Sequence, residues 1–326
     1  MAGRRLRITH RSGYRYVTDV HASFNEVRMT PAEVGGQLLL NHELQIDPRG
    51  VVYAYQDYWG ASVEAFDIHA PHRVLEVVAV STVETPAGHP SAPGVAWDEL
   101  RVTAVADRFC EFLTPSPFVD DAWDDPSRVP LLEELHALST PGEAIDAVVA
   151  AVHERIRYTP GVTSVSTTAS EAWLSAAGVC QDFSHASLSL LRSLGIPARY
   201  VSGYLHTEEE AVGESVTGES HAWIEAWNGG WEAFDPTNDR RVASAHVKVA
   251  SGRDYRDVPP LKGLYAGGGS EDLGVSVEIT QLPGDTGRSH RWGTARHKPR
   301  KSEIRSNSPS KKALRGARSS AMTLWT

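Results

Sequence analysis

The chain has 326 residues, of which 41 % are hydrophobic and 22 % charged; those are the proportions of a soluble globular protein and exclude a wholly disordered or fibrous one. At ~100–200 residues per domain the length points to two domains, and no apolar run reaches the ~18 residues that a membrane-spanning helix needs. The net charge of −9 is uneven: from Gly284 to Thr326 eleven Lys/Arg face only Asp285 and Glu303, which leaves 21 basic and 39 acidic residues elsewhere. An acidic body does not bind nucleic acid on charge grounds, so only the basic tail offers a weak attraction to an anionic polymer.

The first residues, Met1 to Arg5, carry charge but are followed by polar residues rather than an apolar stretch, so no secretory signal is expected. Two cysteines, Cys110 and Cys180, are too few for a disulfide framework or a cysteine zinc site, and a reducing cytoplasm is the expected setting. Short strands are predicted at 6–10, 14–17, 38–40, 42–46, 51–55, 62–68 and 74–83. Turn residues punctuate them, as Ser12-Gly13 and Asp47-Pro48-Arg49-Gly50 do, and this spacing points to a β-sandwich over 1–105. Residues 86–94, rich in Pro and Gly, read as a loop. Cys110, among Phe109 and Phe112, reads as a small buried apolar residue.

After residue 105 the period changes. Residues 142–158 place apolar side chains at 145, 148, 149, 152 and 156, and 180–194 repeat that helical spacing before Gly195-Ile196-Pro197. Strands follow at 198–205, 221–227, 231–234 and 274–282. Helices followed by strands predict an α+β domain over 106–283, and 284–326 read as a basic disordered tail.

Three pieces carry chemistry. Cys180 stands where a Gly-led segment, Gly178-Val179, enters a helix, and a helix start presents free N–H groups and partial positive charge. That setting favours a thiolate nucleophile and can hold a developing oxyanion. His221 opens a strand, and Asp235 closes the next strand fourteen residues later, across a hairpin signalled by Asn228-Gly229-Gly230. Asp235 can then orient His221 and stabilise its cation. Taken singly, each residue has a plainer reading: a buried cysteine, a core histidine, an aspartate opening a turn before Pro236.

His185, the other histidine near Cys180, lies about 140° around the helix from it and is read as a packing residue. Asp182 suits the dipole at the helix start. Gly218-Glu219-Ser220-His221-Ala222 lacks the second glycine and the following helix of a serine nucleophile elbow. His153-Glu154 is not followed by a second histidine at 157, so the zinc motif fails. No phosphate-binding glycine loop is present.

These pieces together resemble the transglutaminase-like superfamily, in its bacterial form with a preceding β-sandwich domain, over residues 4 to about 283. The resemblance rests on GVCQDFSHASLSLLRSLGIPAR (178–199), His221-Ala222-Trp223, Phe234-Asp235-Pro236-Thr237-Asn238 and Gly252-Arg253-Asp254-Tyr255. In the first part it rests on Asn25 to Pro31 and on Asp57-Tyr58-Trp59-Gly60. It implies a papain-like core with a Cys–His–Asp triad on Cys180, His221 and Asp235. Ser184 departs mildly from the alanine common in the family, and the basic tail has no counterpart.

The expected fold is therefore α+β, a papain-like, transglutaminase-like cysteine domain preceded by a β-sandwich. The expected chemistry is acyl transfer or hydrolysis at an amide or peptide bond through a thioester, on a peptide or protein substrate and with water or an amine as acceptor. No cofactor or metal is expected. Gln181, Trp223, Arg253 and Tyr255 are the candidate substrate contacts. The alternative is a silent binding or scaffold module built on the sandwich, although a scaffold places no demand on all three triad side chains.

Overall fold

Buried and exposed positions alternate along the first strands, so each of them has one face to bury. The computed structural model describes residues 3–283 apart from 89–90, 122, 124, 209–210, 219 and 268. The tail expected to be disordered, 284–326, lies outside the described residues.

Six strands come first: β1 (Arg4–Val20), β2 (Ala22–Val27), β3 (Leu38–Asp47), β4 (Val52–Gln56), β5 (Ser62–Ile68) and β6 (His72–Thr85). A helical stretch follows with α1 (Trp97–Leu100), α2 (Thr103–Arg108), α3 (Arg128–His136), α4 (Pro141–Arg155), the two-residue strand β7 (Arg157–Tyr158), α5 (Ala169–Ser175), strand β8 (Ala177–Gly178) and α6 (Cys180–Ser193). The rest is strand: β9 (Ala198–Leu205), β10 (Ser215–Gly218), β11 (Ser220–Trp227), β12 (Trp231–Asp235), β13 (Arg240–Arg241), β14 (His246–Gly252), β15 (Leu261–Ala266), β16 (Ser270–Asp272) and β17 (Ser276–Leu282).

Two sheets form the sandwich. One runs β10-β17-β1-β6-β3, with β16 also paired to β1, and the other runs β15-β2-β5-β4. Tyr16, Val20, Val27, Met29, Phe66, Ile68, Leu75 and Val77 fill the space between them. The boundary expected at 105 does not follow these sheets. Strands β10, β15, β16 and β17 come from the later segment, and β17 lies along β1 with Ile279 opposite Ile8. An exposed sheet edge selects its partner by unpaired N–H and C=O groups, not by nearness in sequence. The described residues accordingly fall in one compact unit.

The expected break at Ser12-Gly13 is also absent, because β1 runs through it. A Cβ at Gly13 would lie 2.1 Å from the Leu75 carbonyl oxygen, so this glycine lets β6 approach closely rather than making a turn.

The second core joins Leu6, Ile8, Val83, Val277 and Ile279 of the sandwich to α4, α6 and the third sheet, β13-β12-β11-β9-β14. Helix α6 is buried from Gln181 through Arg192, as a central helix must be. Its serines are small and self-satisfied: Ser184 donates to the Cys180 carbonyl and Ser187 to the Phe183 carbonyl, both at 2.8 Å. Ser184 thus fills the position of an alanine without leaving a polar group unpaired.

Candidate active site

The start of α6 is fixed by its own third residue. Asp182 accepts from the Val179 N–H at 2.7 Å and from the Thr163 hydroxyl at 2.7 Å, while Val179 is held extended ahead of the helix. Burial pushes the Asp182 carboxyl above its usual range, against these hydrogen bonds. Gly178 is required here, since a Cβ would lie 2.5 Å from an Asp182 carboxylate oxygen. Cys180 and Gln181 are the first two helical residues, so their N–H groups have no intrahelical acceptor. Cys180 is half-buried and a free thiol.

Strands β11 and β12 pair as the Asn-Gly-Gly signal predicts, with Trp227 opposite Trp231, Ile224 opposite Phe234 and Gly229 at φ +80°. That register puts His221 and Asp235 on one face, as diagonal neighbours. His221 Nε2 lies 2.9 Å from Asp235 Oδ2. Cys180 acts on the same ring through hydrogen bonding and charge.

Burial disfavours the His221 cation, but hydrogen bonds to Asp235 and Cys180, with the charges on both, raise its pKa to about 10. Burial likewise opposes ionisation of Asp235. Hydrogen bonds from His221 and His246, with the charge of His221, overcome it and hold that carboxyl well below the usual range. Asp235 is fully buried, and Asn238 donates to its Oδ2 from 2.7 Å.

Sequence reasoning missed His246, whose Nε2 lies 3.1 Å from the same Oδ2. Its signal was faint: one histidine beyond the Phe-Asp-Pro-Thr-Asn piece, at the start of a strand. The ligand-type atoms of His221, Asp235 and His246 lie within 4.8 Å of one another. Their mutual hydrogen bonds account for that spacing, with both Nε2 atoms directed at the carboxylate.

The four candidate substrate contacts fare differently. Trp223 is 1 % exposed, stacks edge-on against His246 at 5.4 Å and lies over Gly203, where a Cβ would fall 2.4 Å from the indole. It backs the triad and does not line a cleft. Gln181 is buried and donates its side-chain amide to the Val165 carbonyl at 3.1 Å, so it ties down a loop. Arg253 makes a two-pronged ion pair with Asp257 and stacks over Trp59 at 5.3 Å, joining the segment between β4 and β5 to the turn after β14. Tyr255 is half-buried, sits edge-on to Tyr200 at 6.5 Å and packs against the same core as Cys180.

His185 is fully buried, and its Nε2 accepts from the Tyr255 N–H at 3.3 Å, which fits a packing residue. Cys110 contradicts its expected burial. It opens a 3₁₀ turn that buries Phe109 and leaves the thiol exposed. A groove of about 740 Å³ along β3 is lined by Arg11, Glu43 and Glu76 and contains no triad residue.

Residues 131–236 match the Transglutaminase-like superfamily, and residues 6–84 match the Bacterial transglutaminase-like N-terminal region. The chain belongs to the transglutaminase-like superfamily. An uncharacterized protein of Mycobacterium leprae is 44 % identical over 280 residues, covering 85 % of this chain and 99 % of its own length. An uncharacterized protein of Mycobacterium tuberculosis is 32 % identical over 306 residues, covering 86 % and 94 %. A protein-glutamine gamma-glutamyltransferase of Pseudomonas aeruginosa is 32 % identical over 134 residues, 36 % of this chain and 20 % of that one. A solved structure from Cytophaga hutchinsonii, described as a candidate cysteine protease, superposes with a TM-score of 0.70 at 22 % identity, over 87 % of this chain and 93 % of that one. That likeness shows a shared fold.

Proposed function

We propose that this protein is a thiol-dependent acyl-transfer enzyme acting at an amide or peptide bond, with Cys180 as nucleophile, His221 as base and acid, and Asp235 as orienting carboxylate. The observation that carries this reading is one imidazole with the Cys180 thiol on one side and buried, ionised Asp235 on the other, at a helix start.

His221 takes the Cys180 proton, and the sulfur attacks the substrate carbonyl carbon. The N–H groups of Cys180 and Gln181 face the oxygen as it gains charge. The C–N bond breaks, His221 returns the proton to the departing nitrogen, and a thioester remains on Cys180. Water or an amine then attacks, gives its proton to His221, and the C–S bond breaks to restore the thiol. Water yields deamidation or cleavage; an amine yields a new amide. Partial similarity to a protein-glutamine gamma-glutamyltransferase supports a glutamine side chain as one substrate class, and peptide cleavage is the other outcome of the same triad. The two free thiols suit a reducing compartment, the setting this reading assigns. No helix among the described residues is long and apolar enough to cross a membrane.

The test is a panel of glutamine-containing peptides incubated with and without a primary amine and read by mass spectrometry, with Cys180→Ala as control. Deamidated, amine-linked or cleaved product from the wild type alone supports the reading and chooses the acceptor. Equal turnover in Cys180→Ala overturns it.

A further inference from the structure

Asp235 Oδ2 is shared. It faces His221 Nε2 at 2.9 Å and His246 Nε2 at 3.1 Å, and Asn238 supplies a third donor at 2.7 Å. A histidine that already has a carboxylate partner in the triad does not need a second histidine on the same oxygen, so the second one needs an account.

The other nitrogen of His246 supplies it. The main-chain N–H of Ala243 points at His246 Nδ1 from 3.3 Å. A ring nitrogen that accepts a hydrogen bond carries no proton, so the neutral ring holds its proton on Nε2 and donates it to Asp235. The backbone of the β13–β14 connection thereby sets the tautomer, and β14 sets the position. Trp223 closes the ring's flank edge-on at 5.4 Å, and His246 is 4 % exposed.

We propose that His246 is a positioning residue of the acyl-transfer site, a neutral imidazole with its proton on Nε2 that donates to Asp235 and fixes the carboxylate against His221. The inference rests on the reading of Cys180, His221 and Asp235 given above.

The surrounding groups divide the two histidines. His246 faces Asp235, which favours a cation there. Burial, the His221 ring at 6.1 Å and Arg240, whose Nε lies 4.0 Å from Asp235 Oδ2, all disfavour one and prevail. His221 faces Asp235 and Cys180, and takes the charge instead. One carboxylate oxygen thus serves a ring that titrates during turnover and a ring that does not. A constant donor keeps Asp235 ionised and aimed while His221 gains and loses its proton.

The experiment is the pH profile of Cys180 alkylation in the full chain, for wild type, His246→Leu and His246→Gln, with ring ¹⁵N shifts of the wild-type histidines. His246→Leu should slow alkylation at about pH 6 by about tenfold, the loss expected when one hydrogen bond to a charged group is removed. The midpoint of the acid limb should rise. His246→Gln, whose amide can still donate, should recover most of the rate. In the wild type, the His246 ring should show the Nε2–H tautomer and hold it while His221 titrates. A folded His246→Leu variant with the wild-type profile overturns the proposal, as does a ring that titrates or carries its proton on Nδ1. If wild-type Cys180 reacts as an ordinary thiol, the acyl-transfer reading fails instead, and the ring shifts still decide the tautomer.

Discussion

The chain contains two groups of nucleophile, histidine and acid, and only one has the surroundings of a catalytic site. In the sandwich, Ser81 Oγ lies 2.8 Å from His42 Nδ1, and His42 Nε2 lies 2.9 Å from Glu64 Oε2. In the papain-like region, Asp235 Oδ2 lies 2.9 Å from His221 Nε2, and Cys180 acts on the same ring through hydrogen bonding and charge. Ser81, however, is 2 % exposed in the middle of β6, between β1 and β3, with its main chain in the ladders on both sides. Cys180 is half-buried at a helix start, beside N–H groups that no backbone ladder uses. Thr30 also fills the His42–Glu64 pair from 3.2 Å, completing a closed polar knot between strands. A nucleophile, an imidazole and an acid at hydrogen-bond distance do not make an active site. Access and unpaired donors for the oxyanion do.

The largest effect expected from this contrast is at the nucleophiles. Cys180→Ala should abolish acyl transfer, a loss of ~10⁴-fold or more in turnover. Ser81→Ala should leave turnover unchanged while costing about 1 kcal/mol in denaturant unfolding. Loss of activity in the serine variant at wild-type stability would break the comparison.

The acids come next. Asp235→Asn should reduce turnover by ~10²–10⁴-fold, because a carboxylate that favours the His221 cation is gone. Glu64→Gln should leave turnover intact, and parallel rate measurements on the two variants check this.

A smaller effect is expected at Gly178. Its alanine variant forces a methyl group against Asp182, so stability should fall by about 1–3 kcal/mol and turnover with it. The matching probe in the sandwich is Gly13→Ala, which meets the Leu75 carbonyl and should lower stability without changing turnover per folded molecule.

A further effect lies in the pH dependence of stability. His221 has a folded-state pKa raised to about 10 from an unfolded value near 6.5. Its contribution is therefore complete below about pH 6.5 and is lost as pH rises toward about 10. Wild-type stability should decline across that window more steeply than that of His221→Ala, as urea titrations at stepped pH would show.

The candidate site was legible because its signals are local. Gly178 ahead of Cys180 marks a helix start, Asn228-Gly229-Gly230 marks a hairpin, and fourteen residues of hairpin fix His221 beside Asp235. What was illegible depends on distant pairing. The sandwich closes with Leu261 opposite Val27 and Thr280 opposite Arg7, and no spacing in the sequence announces such contacts. His246 is close to Asp235 in the chain, but its role comes from β14 lying beside β9, across which it reaches the hairpin. Trp223 shares the strand face of His221, as alternation requires, yet its indole is packed against His246 and over Gly203, which leaves room for it. Cys110 misled through its aromatic neighbours: a tight turn points adjacent side chains in different directions, and Phe109 took the inside.

The most direct test of the central claim is the rate of Cys180 alkylation against pH, read by mass spectrometry, in wild type and His221→Ala, with Cys110 in the same molecule as the reference thiol. Labelling of Cys180 that is already fast below pH 7 and collapses in the variant, while Cys110 labels alike in both, is the predicted result. Cys180 labelling that follows Cys110 across the pH range, with no response to the substitution, would contradict it.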